Sequence, residues 1–371
     1  GEGVGGTLGA GADQDNLTLA TSVLSDQLPL AFELLSDLAL RPTFPESEIQ
    51  TVRGQMVAGL RAAQGQPGTL AGQMFDQVVY GASHPYGRRA TVPSVQAITR
   101  DDLVAWHRRH FVPGNALLVV SGDITPARAE EMARRHFGAW TGGAAPADEF
   151  PTSPAAGTTA VSLIHRPGSV QSTLYVGHTG IGPENPDYYA VQVMNMVLGA
   201  SSDSRLESVL RSQHGWTYGA RSRYQRLLGG GDFRASTEVR TAVTDSALAE
   251  TLVQLRRIRD EPVPQAELEQ AKSFLVASFP NTMETASQAA SRLAGTRLLG
   301  LPAEHLTQYA QRVAAVTAAD VQRVARQYLH PDRAAIVVVG DAAQVLERLR
   351  AVAPVTVFDI EGKPVDPATL R

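Results

Sequence analysis

An internal duplication constrains the fold of this chain more than any other feature. Residues 98–123 align with residues 316–341 at a constant offset of 218 and without a gap. The identical pairs are Thr99/Thr317, Asp102/Asp320, Arg108/Arg326, Pro113/Pro331, Gly122/Gly340 and Asp123/Asp341. An offset of 219 relates three pairs further upstream: Asp26/Asp245, Pro45/Pro264 and Glu48/Glu267. The sequence therefore predicts an α+β chain with two homologous domains, each with strands, a run of helices and a returning strand.

The two copies differ at their beginnings. The second opens with two predicted strands, Thr159–His165 and Ser172–His178, and a predicted helix, Tyr188–Leu198, whereas the first contains no counterpart of these elements. Between the copies lies a stretch rich in Gly, Ala and Pro without periodicity, which is typical of a linker. The predicted limits are residues 1–141 for a first domain without its opening strands and helix, 142–157 for the linker and 158–371 for the second domain.

Within the first copy, Thr7–Ala12 and Leu17–Leu24 predict a hairpin. Its first strand is made of small residues, which lets another backbone approach closely. Glu46–Ala63 predicts a helix with an apolar stripe, and Ala116–Val120 predicts a returning strand. The residues of the stripe are Ile49, Val52, Met56 and Leu60.

Composition excludes several classes of protein. The 371 residues suffice for two domains of ordinary size. A net charge of −4 and the lack of a basic tract argue against nucleic-acid binding. The absence of cysteine excludes disulfides and thiolate zinc ligands. No apolar run reaches the length of a membrane span. A soluble protein is expected, and either the cytoplasm or the periplasm fits.

The stretch Leu210–Gly219 carries the main candidate for chemistry. It joins a predicted helix, Ser204–Arg211, to a predicted strand, Trp216–Tyr224, across the helix-breaking Gly215. Arg211 offers several fixed hydrogen-bond donors and Tyr218 offers one more. Such a pair can hold an extended peptide or a developing oxyanion. The alternative is that Arg211 is a solvated charge at a helix end and Tyr218 an ordinary strand aromatic.

The duplicated unit resembles the insulinase/pitrilysin-like zinc peptidases, which include the mitochondrial processing peptidases. The resemblance rests on stretches spread along nearly the whole chain. They are Gly6–Ala12, His84–Gly87, Thr99–Leu103 through Gly122–Asp123, Leu198–Gly199 through Ser204–Leu206, and Leu210–Arg211 through Tyr218. The resemblance implies two domains, each a mostly antiparallel sheet covered by helices, facing each other as a clamshell around a peptide. It also implies cleavage by a zinc ion.

The metal motif of that family is H-x-x-E-H on a helix, with a third glutamate on a later helix. This sequence contains no H-x-x-E-H. Alignment on Arg53 places Gly54 and Arg61 at the family's two acidic positions, and Arg61 stands where the zinc-ligand glutamate is expected. A guanidinium does not ligate zinc and repels it. The resemblance therefore implies a chain without catalytic residues or a metal of its own.

Arg211 and Tyr218 match the arginine–tyrosine pair with which the family's second domain holds substrate at the partner's zinc. Gly9, Ala10 and Gly11 match the strand that pairs with extended substrate, which would recognise peptide through its backbone. The resemblance implies a non-catalytic, processing-peptidase-like subunit. Its expected partners are a peptide or unfolded protein and a zinc-bearing homologous subunit, or a second copy of the chain.

Two alternatives stay open at this stage. The chain could be an active zinc peptidase whose H-x-x-E-H lies upstream of Gly1 and whose third ligand is a different residue. It could also be a structural scaffold related to the core proteins of respiratory complexes. Arg61 favours the non-catalytic subunit over the first alternative. Arg211 and Tyr218 favour it over the second, because a scaffold has no need of them.

Overall fold

A computed structural model describes Gly3, residues 5–154 and residues 157–370. The ends of the predicted domains and the middle of the predicted linker include residues outside this part: Gly1, Glu2, Val4, Ala155, Ala156 and Arg371.

The described chain is a mixed α+β protein, as the sequence predicts. The strands are β1 (Thr7–Ala12), β2 (Leu17–Ser22), β3 (Ala160–His165), β4 (Gln171–Thr179), β5 (Thr217–Tyr224), β6 (Asp232–Arg240), β7 (Ala335–Gly340) and β8 (Val355–Phe358). The helices are α1 (Leu28–Leu40), α2 (Glu46–Ala63), α3 (Pro67–Tyr80), α4 (Val92–Ala97), α5 (Arg100–His110), α6 (Pro126–Phe137), α7 (Tyr188–Asn195), α8 (Arg205–Glu207), α9 (Thr244–Asp260), α10 (Gln265–Ser278), α11 (Ala286–Leu298), α12 (Glu304–Thr307), α13 (Tyr309–Ala314), α14 (Ala318–Tyr328) and α15 (Ala342–Arg350).

The chain forms two compact units, and each contains a segment from the other sequence copy. Unit 1 comprises Gly1–Leu60, Ala90–Glu149 and Pro280–Ala303, and unit 2 comprises Arg61–Arg89, Phe150–Phe279 and Glu304–Arg371. The segments that begin at Arg61 and Pro280 are counterparts at the repeat offset of 219 (280 − 61). The two compact units therefore do not coincide with the two copies of the duplicated sequence. The predicted domain limits follow the sequence copies, not the compact units.

Unit 1 contains the predicted hairpin. β1 and β2 pair antiparallel, with Gly9 opposite Ala20 and Gly11 opposite Thr18. Its buried residues include Phe32 of α1 and Met132 of α6.

Unit 2 is built on a six-stranded sheet in the order β5-β6-β4-β7-β3-β8. The pairs β5/β6, β6/β4 and β4/β7 are antiparallel, and β7/β3 and β3/β8 are parallel. The main core lies between one face of this sheet and a group of helices that includes α7, α9, α10, α14 and α15. Because a strand is pleated, every second side chain of β4 and β6 points to this core, and the others point to the opposite face of the sheet.

Helix α3 covers part of the opposite face and is anchored there by buried charges. Arg234 of β6 is only 8% exposed and pairs with Asp76 of α3 at 2.5 Å and with Asp232 at 3.5 Å. Its guanidinium also lies 4.2 Å from the ring centroid of Phe75. Tyr80 of α3 donates its hydroxyl to Asp232 at 3.2 Å. Burial raises the pKa of Asp76, so ionised Asp76 depends on Arg234 for compensation.

A buried histidine, His178, lies at the end of β4 and links it to the backbone of His330. His178 Nδ1 donates to the carbonyl of Thr179 at 2.8 Å, and its Nε2 accepts the backbone N–H of His330 at 3.1 Å. Both ring nitrogens are thus used by the neutral imidazole. Burial is the main reason that the pKa of His178 falls to about 4.

One prediction for the first copy is not realised in the structure. Ala116–Val120 is not a strand, although its counterpart forms β7. In the second copy β7 pairs with β3 and β4, whereas the first copy in this sequence has no counterparts of those strands. Without partners the backbone donors and acceptors cannot form a ladder, so the segment stays outside any sheet and Leu117 is 48% exposed.

Candidate functional site

Arg211 lies in a π-helical segment rather than in the predicted α-helix. Only Arg205–Glu207 is α-helical, and the chain continues as a π-helix over Ser208–Gln213. Widened turns of this kind are rare and are frequent at functional sites. The segment ends at Gly215, whose φ of 62° lies in the left-handed region that only glycine adopts without strain. β5 then begins at Thr217, close to the prediction.

Glu207 joins the Arg211 segment to the strand that carries Tyr218. One oxygen, Oε1, accepts a hydrogen bond from Arg211 Nη1 at 2.6 Å, and Oε2 accepts the backbone N–H of Ala220 at 2.8 Å. Glu207 is only 7% exposed. Burial opposes its charge, but the bonds from Arg211 and Ala220 outweigh burial and lower the pKa of Glu207. The carboxylate therefore stays ionised and fixes one edge of a guanidinium whose other donors remain available.

Tyr218 projects into solvent because β5 is irregular at this point. The pairing with β6 shifts register between Thr217 and Ala220, and bulges of this kind re-aim side chains. Thr217 stabilises the irregularity, since its hydroxyl bonds both the N–H and the carbonyl of Gly219. Tyr218 is 90% exposed, and its hydroxyl forms no hydrogen bond within the described part of the chain. The structure thus presents a phenolic donor with no partner.

A cavity of about 290 Å³ lies beside Tyr218. Its walls come from β4, β5 and β6, and they include Thr173, Arg221 and Glu238. Thr173 Oγ1 donates to Glu238 Oε1 at 3.3 Å. Tyr218 therefore borders a polar cavity whose lining does not include Arg211, and Glu207 links the segment of Arg211 to the strand of Tyr218.

The other predicted substrate-binding residues lie in unit 1. Gly9, Ala10 and Gly11 are exposed on β1, whose only strand partner among the described residues is β2. A Cβ atom added at Gly9 or Gly11 would meet nothing within 4 Å. The backbone of this strand is therefore accessible along one edge.

Gly54 and Arg61, which the sequence alignment on Arg53 predicts to take the family's acidic positions, do not fit a zinc ion. Gly54 and Arg61 are both exposed on α2, and neither can supply a metal ligand. Nowhere in residues 5–154 and 157–370 do three or more His, Asp or Glu side chains form a group that could hold a metal. We derive no chemical step through a metal in this chain.

Sequence reasoning missed two residues of the site. Glu207 precedes Arg211 by four residues, a spacing at which helical side chains meet, so the pair was accessible from the sequence. Arg221 carried no such signal, because its position on the cavity wall depends on the pairing of β5 with β6.

Comparison with known proteins identifies the family. Residues 97–275 match the model of the peptidase M16 inactive domain, and residues 2–82 match that of insulinase, peptidase family M16. This chain belongs to the insulinase family, peptidase family M16.

The chain is similar to several individual proteins. An uncharacterised zinc protease of Streptomyces coelicolor is 23% identical over 88% of this chain and 72% of its own length. A protein of Helicobacter pylori named as a non-peptidase homolog is 25% identical over 80% of this chain and 68% of its own. The crystal structure of a peptidase M16 inactive domain from Pseudomonas fluorescens has a TM-score of 0.83 and 27% identity. It covers 91% of this chain, which covers 82% of that structure.

No helix within the described residues has the length and apolar character needed to cross a membrane.

Proposed function

We propose that this chain is the non-catalytic subunit of a two-chain zinc peptidase and holds extended peptide for a zinc-bearing homologous subunit. In unit 2, Arg211 and Tyr218 donate hydrogen bonds to carbonyl oxygens of the peptide. In unit 1, the backbone of Gly9–Gly11 separately offers a strand edge that extended peptide can pair with. The substrate class is a peptide or an unfolded protein, since only an extended chain presents its carbonyl groups in this way.

One observation carries the proposal. Glu207 anchors Arg211 through a single Nη1, while the exposed Tyr218 hydroxyl has no hydrogen-bond partner in the described chain. Donors that are held in place and left unpaired lose little entropy when they bind a ligand.

Two further observations support the non-catalytic role. The sequence alignment on Arg53 assigns Gly54 and Arg61 to the family's acidic positions, and neither residue can ligate zinc. The Helicobacter pylori relative, which is named as a non-peptidase homolog, is a precedent for members of this family without peptidase activity.

The test combines this chain with a zinc-bearing homologue from the same genome and measures cleavage of fluorescein-labelled casein, an unfolded substrate. Arg211→Ala removes one pre-positioned donor and should lower kcat about 100-fold, as the loss of an oxyanion-type donor does. Tyr218→Phe removes only the hydroxyl and should lower kcat by about tenfold or more, because one hydrogen bond is lost. Size-exclusion chromatography reports assembly separately.

A matched control is Arg350→Ala on α15. Arg350 also pairs with a glutamate one helical turn away, Glu347, at 2.5 Å, but Glu347 is exposed, so this variant controls for the loss of a surface arginine alone. Cleavage should stay at the wild-type rate in this variant. Cleavage that is unchanged in Arg211→Ala, with assembly intact, contradicts the role assigned to Arg211.

The alternative is that the chain is itself a zinc metallopeptidase, which the name of the Streptomyces coelicolor relative favours. Zinc content per chain, measured on protein purified without chelator, separates the two. A value near zero with a folded protein supports the non-catalytic subunit. A value near one, with casein cleavage by this chain alone, establishes the alternative.

A further inference from the structure

The cavity beside Tyr218 has the size of a side-chain pocket. Its 290 Å³ correspond to about ten water molecules at roughly 30 Å³ each. Sites for whole small molecules usually range from about 300 to 1,000 Å³, so this cavity lies at their lower limit. One side chain of a peptide, with some water, fills it.

Arg221 is the cation available on the cavity wall. It is exposed and directly opposite Ser236 in the β5/β6 pairing. Its guanidinium forms no hydrogen bond or ion pair within the described residues. The anion of the wall, Glu238, has already one partner, because Thr173 donates to its Oε1. The five N–H donors of Arg221 outnumber the roughly three acceptor positions that remain on Glu238.

Two further exposed arginines lie on the same sheet face as Arg221. Arg223 lies two residues further along β5, and Arg240 two residues beyond Glu238 on β6, so all four side chains share one sheet face. Arg223 and Arg240 are exposed and also unpaired among the described residues. Together with Arg234 and its partners Asp76 and Asp232, this face carries four arginines against three carboxylates, a charge of +1 (4 − 3). Arg221 and Glu238 are the charges that line the cavity itself.

We propose that this cavity selects an acidic side chain of the extended peptide, and that Arg221 is the specificity-determining residue. The inference rests on the proposed function, because Arg211 and Tyr218 hold the peptide backbone that brings the side chain to the cavity. The planar guanidinium of Arg221 pairs with the carboxylate through two parallel hydrogen bonds. The ligand class is thus a peptide with Asp or Glu beside the carbonyl group that Tyr218 holds.

The experiment measures binding of fluorescein-labelled peptides to this chain alone by fluorescence anisotropy. The peptides share one neutral background, and a single Glu, Gln or Lys is moved along it. At the best position the Glu peptide should bind about tenfold more tightly than the Gln peptide, a ratio that corresponds to about 1.4 kcal/mol. The Lys peptide should bind most weakly, and added salt should reduce the preference for Glu.

Two variants assign the preference to this cavity. Arg221→Gln should reduce the Glu-to-Gln ratio to below twofold, mainly by weakening the binding of the Glu peptide. Glu238→Gln should raise the affinity for the Glu peptide, because it removes the opposing charge. Arg350→Gln, on α15, should keep the wild-type ratio.

The outcomes separate this inference from the proposed function. Equal binding of the Glu and Gln peptides, or a ratio that survives in Arg221→Gln, overturns the acidic selectivity while leaving peptide holding intact. A preference for Lys means that Glu238 binds the peptide side chain, and it overturns the role of Arg221 as the specificity-determining residue. Failure of every peptide to bind the wild-type chain overturns the proposed function and this inference together.

Discussion

Replacing Glu207 by alanine removes a buried carboxylate that accepts two hydrogen bonds. The bond from Arg211 is charge-assisted, and such bonds contribute about 1.5–3 kcal/mol. The N–H of Ala220, a residue only 1% exposed, is left without an acceptor, which costs about 1–3 kcal/mol. The guanidinium of Arg211 is half-exposed and regains water, which offsets part of its loss. We therefore expect the free energy of unfolding to fall by about 2–4 kcal/mol.

The pH dependence of this contribution has a definite sign. The pKa of Glu207 in the folded chain lies below its ordinary value of 4.5. A carboxylate with a lowered pKa stabilises the fold above the pKa of the unfolded chain, and this stabilisation disappears as the pH falls through the folded-state pKa. The stability difference between wild type and Glu207→Gln should accordingly be largest near neutral pH and shrink as the pH falls below about 4.5.

Urea unfolding measures how Glu207→Ala changes the stability of the whole chain, and hydrogen exchange measures the change locally, at β5. The urea midpoint gives the change in unfolding free energy, and amide exchange of the β5 segment reports whether the Ala220 N–H has lost its acceptor. Glu207→Gln keeps one carbonyl acceptor for Ala220 and should cost about half as much as the alanine variant, roughly 1–2 kcal/mol. A loss below about 0.5 kcal/mol in Glu207→Ala, the range of an ordinary surface substitution, would refute the reasoning.

Two further predictions concern the buried polar groups of unit 2. Arg234→Ala leaves the carboxylates of Asp76 and Asp232 without their cation and should lower the unfolding free energy by about 3–5 kcal/mol in urea titrations; a loss near 1 kcal/mol would mean that water replaces the pair. Because the pKa of His178 is lowered to about 4, the unfolded chain binds the additional proton first, so stability should fall by up to about 3 kcal/mol as the pH drops from 6.5 to 4. His178→Gln should remove this part of the pH slope, since no proton then displaces the N–H of His330, and an unchanged slope contradicts the assignment.

Local patterns in the sequence predicted most of the elements. The hairpin of β1 and β2 and the strands β3 and β4 lie where alternation and turn residues place them. The duplicated stretches predicted two copies of one unit, and the capping box at Thr99 has an identical counterpart at Thr317. These features depend only on residues that are close together in the sequence, so they can be predicted from the sequence alone.

The candidate site was only partly accessible from the sequence. Residue type and family resemblance selected Arg211 and Tyr218. The π-helical turn, the bulge before Ala220 and the cavity wall with Arg221 were not predicted. The bulge and the cavity wall depend on how β5 pairs with β6, which the sequence pattern of β5 does not encode.

The two copies show what local pattern determines and what it leaves to packing. Helix α2 carries an apolar stripe as predicted, yet Val52 and Met56 are 50% and 47% exposed. Their counterparts on α10, Ala271 and Leu275, are 5% and 8% exposed, because α10 packs against α7 and the π-helical segment that follows it. The first copy in this sequence has no counterpart of α7.

The apolar run before Asp123 follows the same rule, since its equivalent becomes β7 only between β3 and β4. Sequence alone determined the periodicity of each segment, and with it the choice of helix or extended chain. Tertiary structure alone decided which segments are buried or paired, because burial and hydrogen bonding of a strand require a second surface that the segment itself does not encode.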